Sequence, residues 1–400
     1  MSHIRVSGKP EDWTNWEKIV QQICTYEELT DIEKEKAKCS FLFLKQEFGE
    51  EFLKGSLEGL QLENLQPEKV HPIMSYFINS APWTRKWLTR FSDALKSLKD
   101  AYGYQGLLRR LMDTEGFFEA ESVLWVASKL RKAGFKIEID PTVASSRRVP
   151  DLKILNEETK EELFIEISIQ KQSTTAAKAL LTFNTLFDEL SWIKFDHLAY
   201  CGRILKVLSD RHMSEVLKEV KDKIEKAKKE QSFQELIIED TIELAIAPWK
   251  DNSTLEIWAK SRGIETGTFS GPPINVDEVR RTKATIQREQ QQLPQASPNI
   301  IVIENSNLFR SRQNIRRAMN ELEECLYDFP NLLFFISNDR YEGQTQVEQN
   351  ETFMKDQHIF TRRVIDEYNL EQAIILLNRY CDFHVSPATI SKVYLAFSKN

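Results

Sequence analysis

The sequence predicts an α/β chain, with a mixed central sheet built on an αβββαβ core and a helical N-terminal region before it. Three observations carry that expectation. Residues 1–112 place apolar side chains at helical spacing. Residues 116–172 read as one amphipathic helix followed by three short β-type runs. Beyond residue 276, helical and apolar stretches alternate as helix–strand–helix–strand, which implies parallel pairing. The expected division is 1–112 as the helical region and 113–400 as the α/β domain with a C-terminal α/β extension.

In the first region, the segments from Trp13 to Tyr26, Ile32 to Phe48 and Trp83 to Leu98 are separated by Pro67, Pro72 and Pro82. Their aromatic residues, Trp16, Phe41, Phe77 and Trp87 among them, fit a core at helical spacing rather than a base-stacking surface. Arg85, Lys86, Arg90, Arg109 and Arg110 form a modest basic set that reads as a solvated helix face, with phosphate contact as the alternative.

Next, Phe118, Val123, Val126, Ala127 and Leu130 recur at helical spacing, and Gly134 ends the run. The β-type runs are Phe135 to Ile139, Pro150 to Leu155 and Leu163 to Gln170, the last two joined by the polar loop from Asn156 to Lys160. Centring that hairpin between Glu158 and Thr159 sets Asp151 opposite Glu166, since 151 + 166 = 158 + 159. Directly opposed residues on one sheet face have Cβ atoms about 4.5–5.5 Å apart. Two carboxylates that close repel unless a cation sits between them, and a hard divalent ion such as magnesium or manganese suits oxygen ligands. Glu119, in line with Val123, Val126 and Leu130, is expected to point at the same place.

A helix with Glu, a strand, a Pro-Asp strand and a strand with Glu resemble the PD-(D/E)xK nuclease superfamily, whose fold is restriction-endonuclease-like. The resemblance covers about fifty-five residues closely and the flanks in outline. It implies that Asp151 and Glu166 hold a magnesium or manganese ion, that Glu119 assists, and that a lysine two residues after Glu166 orients the attacking water. That position is Ser168, a departure from the pattern. Strand alternation puts Ser168 and Gln170 on the face of Glu166, where they could hold water or phosphate, and turns Lys171 away. Lys153, two residues after Asp151 on its face, is the better substitute for the missing lysine. Bland readings stand beside these: Pro-Asp commonly starts turns, and acids on strands are more often solvated than catalytic.

Further along, Thr174 to Leu190 reads as a helix packed across the sheet and His197 to Leu208 as the strand after it. A charged surface helix follows, then strand candidates from Leu236 to Ala247 and Leu255 to Ala259. A helix from Val276 to Leu293 carries Arg280, Arg281, Lys283 and Arg288; a second, from Phe309 to Tyr327, opens with Arg310, Arg312, Arg316 and Arg317. These arginines and Lys283, with Arg147 and Arg148 just before Pro150, are the candidate phosphate contacts, because Arg offers phosphate a bidentate fork; ordinary solubilising charge is an equal reading of the two helices. Strands are expected at Asn299 to Glu304, Asn331 to Asn338, Ala373 to Tyr380 and Lys392 to Phe397, with a polar loop from Arg340 to Glu351.

Composition narrows the function classes. A formal net charge of −7 excludes a global basic field, so any nucleic-acid contact must be local and salt-sensitive. No apolar run approaches membrane-spanning length, and no apolar signal core follows the first residues, so the cytoplasm is the expected compartment and no membrane partner is expected. Five cysteines without CxxC pairing fit reduced thiols. Six histidines lack metal-ligand spacing, and no nucleophile elbow, P-loop or dinucleotide fingerprint occurs. Two functions remain: a metal-dependent hydrolase of phosphodiester bonds, with DNA expected as substrate, or a catalytically degenerate nuclease fold that binds nucleic acid or a partner protein. Oligomeric state is not legible in the sequence.

Overall fold

The computed structural model describes residues 12–56, 70–79, 81–142, 149–171, 173–273, 276–310, 312–342, 350–366 and 369–398. The protein is α/β, with mixed sheets and helices. It divides into two compact units: residues 1–170 with 278–400, and residues 171–277.

The larger unit opens with helices α1 (Trp16–Ile23), α2 (Asp31–Phe48), α3 (Phe52–Gly55), α4 (Met74–Ile78), α5 (Pro82–Ser97) and α6 (Tyr104–Leu111). Local chemistry sets their starts. Thr30 and Glu33 exchange hydrogen bonds in a capping box at α2, and Pro82 occupies the first turn of α5, where no N–H is needed. Gly103, at φ +83°, lies so near β1 (Lys136–Ile139) that a Cβ would sit 2.2 Å from the Ile139 carbonyl oxygen. Trp16, Phe41, Phe77 and Trp87 of the expected aromatic core are fully buried, joined by Phe91, each contributing about 1.5–3 kcal/mol. Arg85 departs from expectation. It is 1% exposed, and its guanidinium donates to the carbonyls of Tyr76 and Phe77 and to the Tyr26 hydroxyl.

Helix α7 (Phe117–Lys132) then leads into β1, β2 (Leu152–Asn156) and β3 (Glu161–Ile169). The smaller unit follows in the chain: α8 (Thr174–Ser191), β4 (Leu198–Ile204), α9 (Asp210–Glu230), β5 (Gln234–Ile238), β6 (Ile242–Pro248), α10 (Asn252–Ser261) and β7 (Phe269–Ser270). Its sheet runs β5-β6-β4-β7. Leu255 to Ala259 is helical rather than a strand; Leu255, Trp258 and Ala259 are its buried positions, at helical spacing.

The chain returns to the larger unit with α11 (Glu278–Glu289), β8 (Asn299–Glu304), α12 (Arg312–Leu326), β9 (Leu332–Glu342), β10 (Glu351–Lys355), β11 (His358–Asp366), β12 (Asn369–Leu377) and α13 (Pro387–Ser398). Its eight strands run β1-β2-β3-β8-β9-β12-β11-β10. Pairing is antiparallel through β3, parallel from β3 to β8 and β9, and antiparallel beyond. The strand beside β3 is thus β8, not the segment from His197 to Leu208, which belongs to the smaller unit. Lys392 to Phe397 lies in α13: Pro387 opens that helix, and Ser386 caps it by accepting the Thr389 N–H at 3.3 Å.

Each face of the large sheet has its own core. Leu163, Ile165, Ile300, Val302, Phe334 and Ile336 pack with α7 and the N-terminal helices. Phe164, Ile301, Ile303 and Phe335 pack with α11 and α12. Side chains alternate across a strand, so this split fixes the face on which every charged residue of β3, β8 and β9 lies.

A candidate site of opposed carboxylates

The hairpin register follows the sequence arithmetic. Leu152 pairs with Ile165 and Lys153 with Phe164, so the next step sets Asp151 opposite Glu166, on the face of Phe164. Glu166 is 8% exposed and Asp151 half-buried. The Asp151 carboxylate accepts the Ile167 N–H at 2.8 Å and so ties the residue just before β2 to β3. Burial holds its carboxyl well above the ordinary aspartate range; the Ile167 N–H and Arg110 pull it down, while Asp140 and Glu289 push it up. Asp140, joined to Asp151 through a backbone hydrogen bond of 2.9 Å, is itself held by Arg110 through both carboxylate oxygens at 3.0 Å.

Helix α11 brings further groups to this face. The Ser168 hydroxyl donates to Glu289 at 3.1 Å, and Arg288 pairs with Glu289 and reaches the Ser168 hydroxyl oxygen at 3.4 Å. A cation therefore does approach the position that lacks lysine, from another helix. Gln170 is buried and fully engaged: its amide N–H groups donate to Glu278 and the Ser306 carbonyl, and its oxygen accepts from Thr282. It ties β3 to α11.

Other expected residues lie elsewhere. Glu119 is exposed. Its helix is contacted by α5, α6 and α13 as well as by the sheet, so its apolar positions do not mark one sheet-facing stripe. Moreover, α7 covers the face opposite Glu166. Lys153 shares the face of Asp151, but its ammonium pairs with Glu162 at 2.8 Å, towards the hairpin turn. Lys171 is exposed beyond the end of β3. Arg281 pairs with Glu278 at 2.7 Å and Lys283 with Glu321 at 3.7 Å, while Arg280 is exposed. Arg147 and Arg148 lie outside the described residues.

Glu289 was missed although a signal existed. Val279, Thr282, Ile286 and Glu289 recur at steps of three and four, so the acid continues the buried stripe of an arginine-rich helix.

The acids that α7 does bury form a second network on the opposite face. Ser122 donates to Glu304 at 2.6 Å, and the Trp125 indole donates to Glu121 at 2.8 Å. Arg340 pairs with Glu304 at 3.0 Å, lies 3.7 Å from Glu121, and sits over the Trp125 ring at 5.0 Å. Lys129, held well below its usual range chiefly by burial, pairs with Glu371. Burial pushes the Glu121 carboxyl up to about 7, with Arg340 opposing and Glu342 adding to the rise. In the fold Glu121 therefore keeps a proton that an unfolded chain loses near its ordinary value of 4.5. Its contribution to stability falls as pH rises from that value through about 7. Glu121→Gln does not titrate, so the stability difference between variant and wild type should shift in the variant's favour by on the order of 2 kcal/mol between pH 5 and pH 8. Urea unfolding at the two pH values measures it, and a shift of opposite sign contradicts the assignment.

Among the described residues, no group of three or more His, Cys, Asp or Glu side chains is disposed to hold a metal ion, and no helix is long and apolar enough to cross a membrane. No family model, curated protein or solved structure matches the chain.

Proposed function

We propose that the chain is a metal-dependent nuclease with a restriction-endonuclease-like core, hydrolysing phosphodiester bonds in DNA. The observation that carries the reading is the opposition of Asp151 and Glu166 across the β2–β3 hairpin. Two features support it: the order α7, β1, β2, β3, and the parallel strand β8 beside β3. The donor set fits a magnesium-class ion. Such an ion is bound by one or two carboxylates and keeps water and substrate phosphate as its other ligands. Asp151 also sits in the negative field of Asp140 and Glu289, which a cation would relieve. When bound, magnesium or manganese would supply Lewis acidity and an activated water.

The chain's own groups then have separate tasks. Asp151 and Glu166 hold the cation, and the Ile167 N–H orients the first of them. Arg288 offers its guanidinium to the scissile phosphate, taking over the charge of the missing lysine. Ser168 and Glu289 aim that guanidinium. DNA as substrate rests on the habits of the superfamily.

A specific observation favours the second reading, a fold that binds nucleic acid without cutting it: Arg288 is already neutralised by Glu289. Incubating the purified protein with linear, circular and branched DNA and with RNA, in magnesium, manganese or EDTA, separates the two. Products that require metal support the nuclease. Gel shifts in EDTA with no products on any substrate support the silent binder.

A further inference from the structure

In the smaller unit, two short turns lie side by side because β4 and β6 pair antiparallel, with Leu198 opposite Pro248. One, from Ile193 to Asp196, leads into β4; the other, from Trp249 to Asp251, leaves β6. The His197 carbonyl accepts the Trp249 N–H at 3.0 Å and joins them. Around this junction three large rings stand in solvent: Trp192 is 69% exposed, Phe195 68% and Trp249 56%. Trp192 and Phe195 lie 5.8 Å apart, and His197 meets Trp249 nearly perpendicular at 4.9 Å. The turn does have a core residue, Ile193, so the rings on either side of it are not needed for burial. Apolar groups left in water are unfavourable, and clusters of them rimmed by polar residues mark interaction sites.

Cations are interleaved with the rings. Lys194 precedes Phe195, its ammonium 5.2 Å from the ring centroid, and Lys250 follows Trp249; both lysines are exposed. Among the described residues neither forms an ion pair. Asp196, the acid of the first turn, is held instead by Lys228 at 3.1 Å, and Asp251 of the second is half-buried. This pattern narrows the partner. Lysine is depleted from the cores of protein–protein interfaces, which argues against a protein seated on the rings. A bilayer would have to take up the Asp196–Lys228 pair along with the rings. A flexible strand need only meet the rings one base at a time, and it leaves that ion pair in water. Every base offers a π-face to an open ring, and every phosphate a charge to a lysine.

We propose that this junction binds a single strand of nucleic acid, its bases stacked on Trp192, Phe195 and Trp249 and its phosphates at Lys194 and Lys250. It shares no residue with the carboxylate pair, so it stands or falls independently of the nuclease reading.

Fluorescence anisotropy in EDTA, where metal-assisted hydrolysis cannot intervene, tests it with labelled oligothymidylate and oligouridylate of about twelve nucleotides as probes. Trp192→Ala and Trp249→Ala should each weaken binding about fivefold or more, and both variants should melt like the wild type because the side chains stand in solvent. Trp192→Phe, which keeps a ring, should retain most of the affinity. Replacing Lys194 and Lys250 together by alanine should flatten the fall in affinity with added salt. No binding of either strand at about 100 µM protein, or binding indifferent to both tryptophans, overturns the proposal. So does binding to phosphatidylglycerol vesicles that the tryptophan variants lose while neither strand is bound, which would make the junction a lipid contact.

Discussion

Asp151→Ala should lower metal-dependent cleavage by about a thousandfold, equivalent to ~4 kcal/mol of transition-state stabilisation. The carboxylate is fixed by the Ile167 N–H at 2.8 Å, and the acids around it are already paired, Asp140 with Arg110 and Glu289 with Arg288, so neither is placed to take over the role proposed for it. Arg288→Ala should cost less, about 10- to 100-fold, because it removes charge stabilisation but not the ion itself. Lys153→Ala and Glu119→Ala should remain within about twofold of wild type, since Lys153 is spent on Glu162 and Glu119 faces solvent. Single-turnover cleavage assays on the four variants give the ranking. A loss in Lys153→Ala as large as that in Asp151→Ala would remove Arg288 from its role and return the position to lysine.

The other large effect concerns stability. Arg340→Ala should destabilise the fold by about 3–5 kcal/mol, because it strands Glu304, 4% exposed, without its cation. Lost stacking on Trp125 adds to the cost. Glu121 softens the effect, since its raised pKa lets it take up a proton instead. The double variant Arg340→Met, Glu304→Gln should recover most of the loss, because neither partner is left charged and alone. Urea unfolding checks both variants. A cost below about 1 kcal/mol for Arg340→Ala would show that Glu304 is solvated in the folded protein.

What the sequence made legible was local. The Asp151–Glu166 opposition depends only on the centre of one short turn, and the strand from Asn299 to Glu304 is an apolar run with clear ends. What stayed hidden depended on distant packing. Helix α7 is enclosed on several sides, so its stripe could not tell Glu119 from Glu121. No local feature says that β3 pairs with β8 rather than with a strand about a hundred residues nearer in sequence, and the smaller unit between them was read as part of one sheet. Glu289 sat in plain view on a buried stripe but was overshadowed by the arginines around it. Short apolar runs misled where periodicity cannot arbitrate: Leu255 to Ala259 and Lys392 to Phe397 are helical, and the flanking Pro387 was the missed cue in the second case.

Calorimetric titration of manganese into metal-free protein tests the opposed carboxylates most directly. The geometry predicts one binding site that Asp151→Ala and Glu166→Gln each abolish while Glu119→Ala leaves it intact. Manganese binding that survives Asp151→Ala, or none in the wild type with or without DNA, would contradict it.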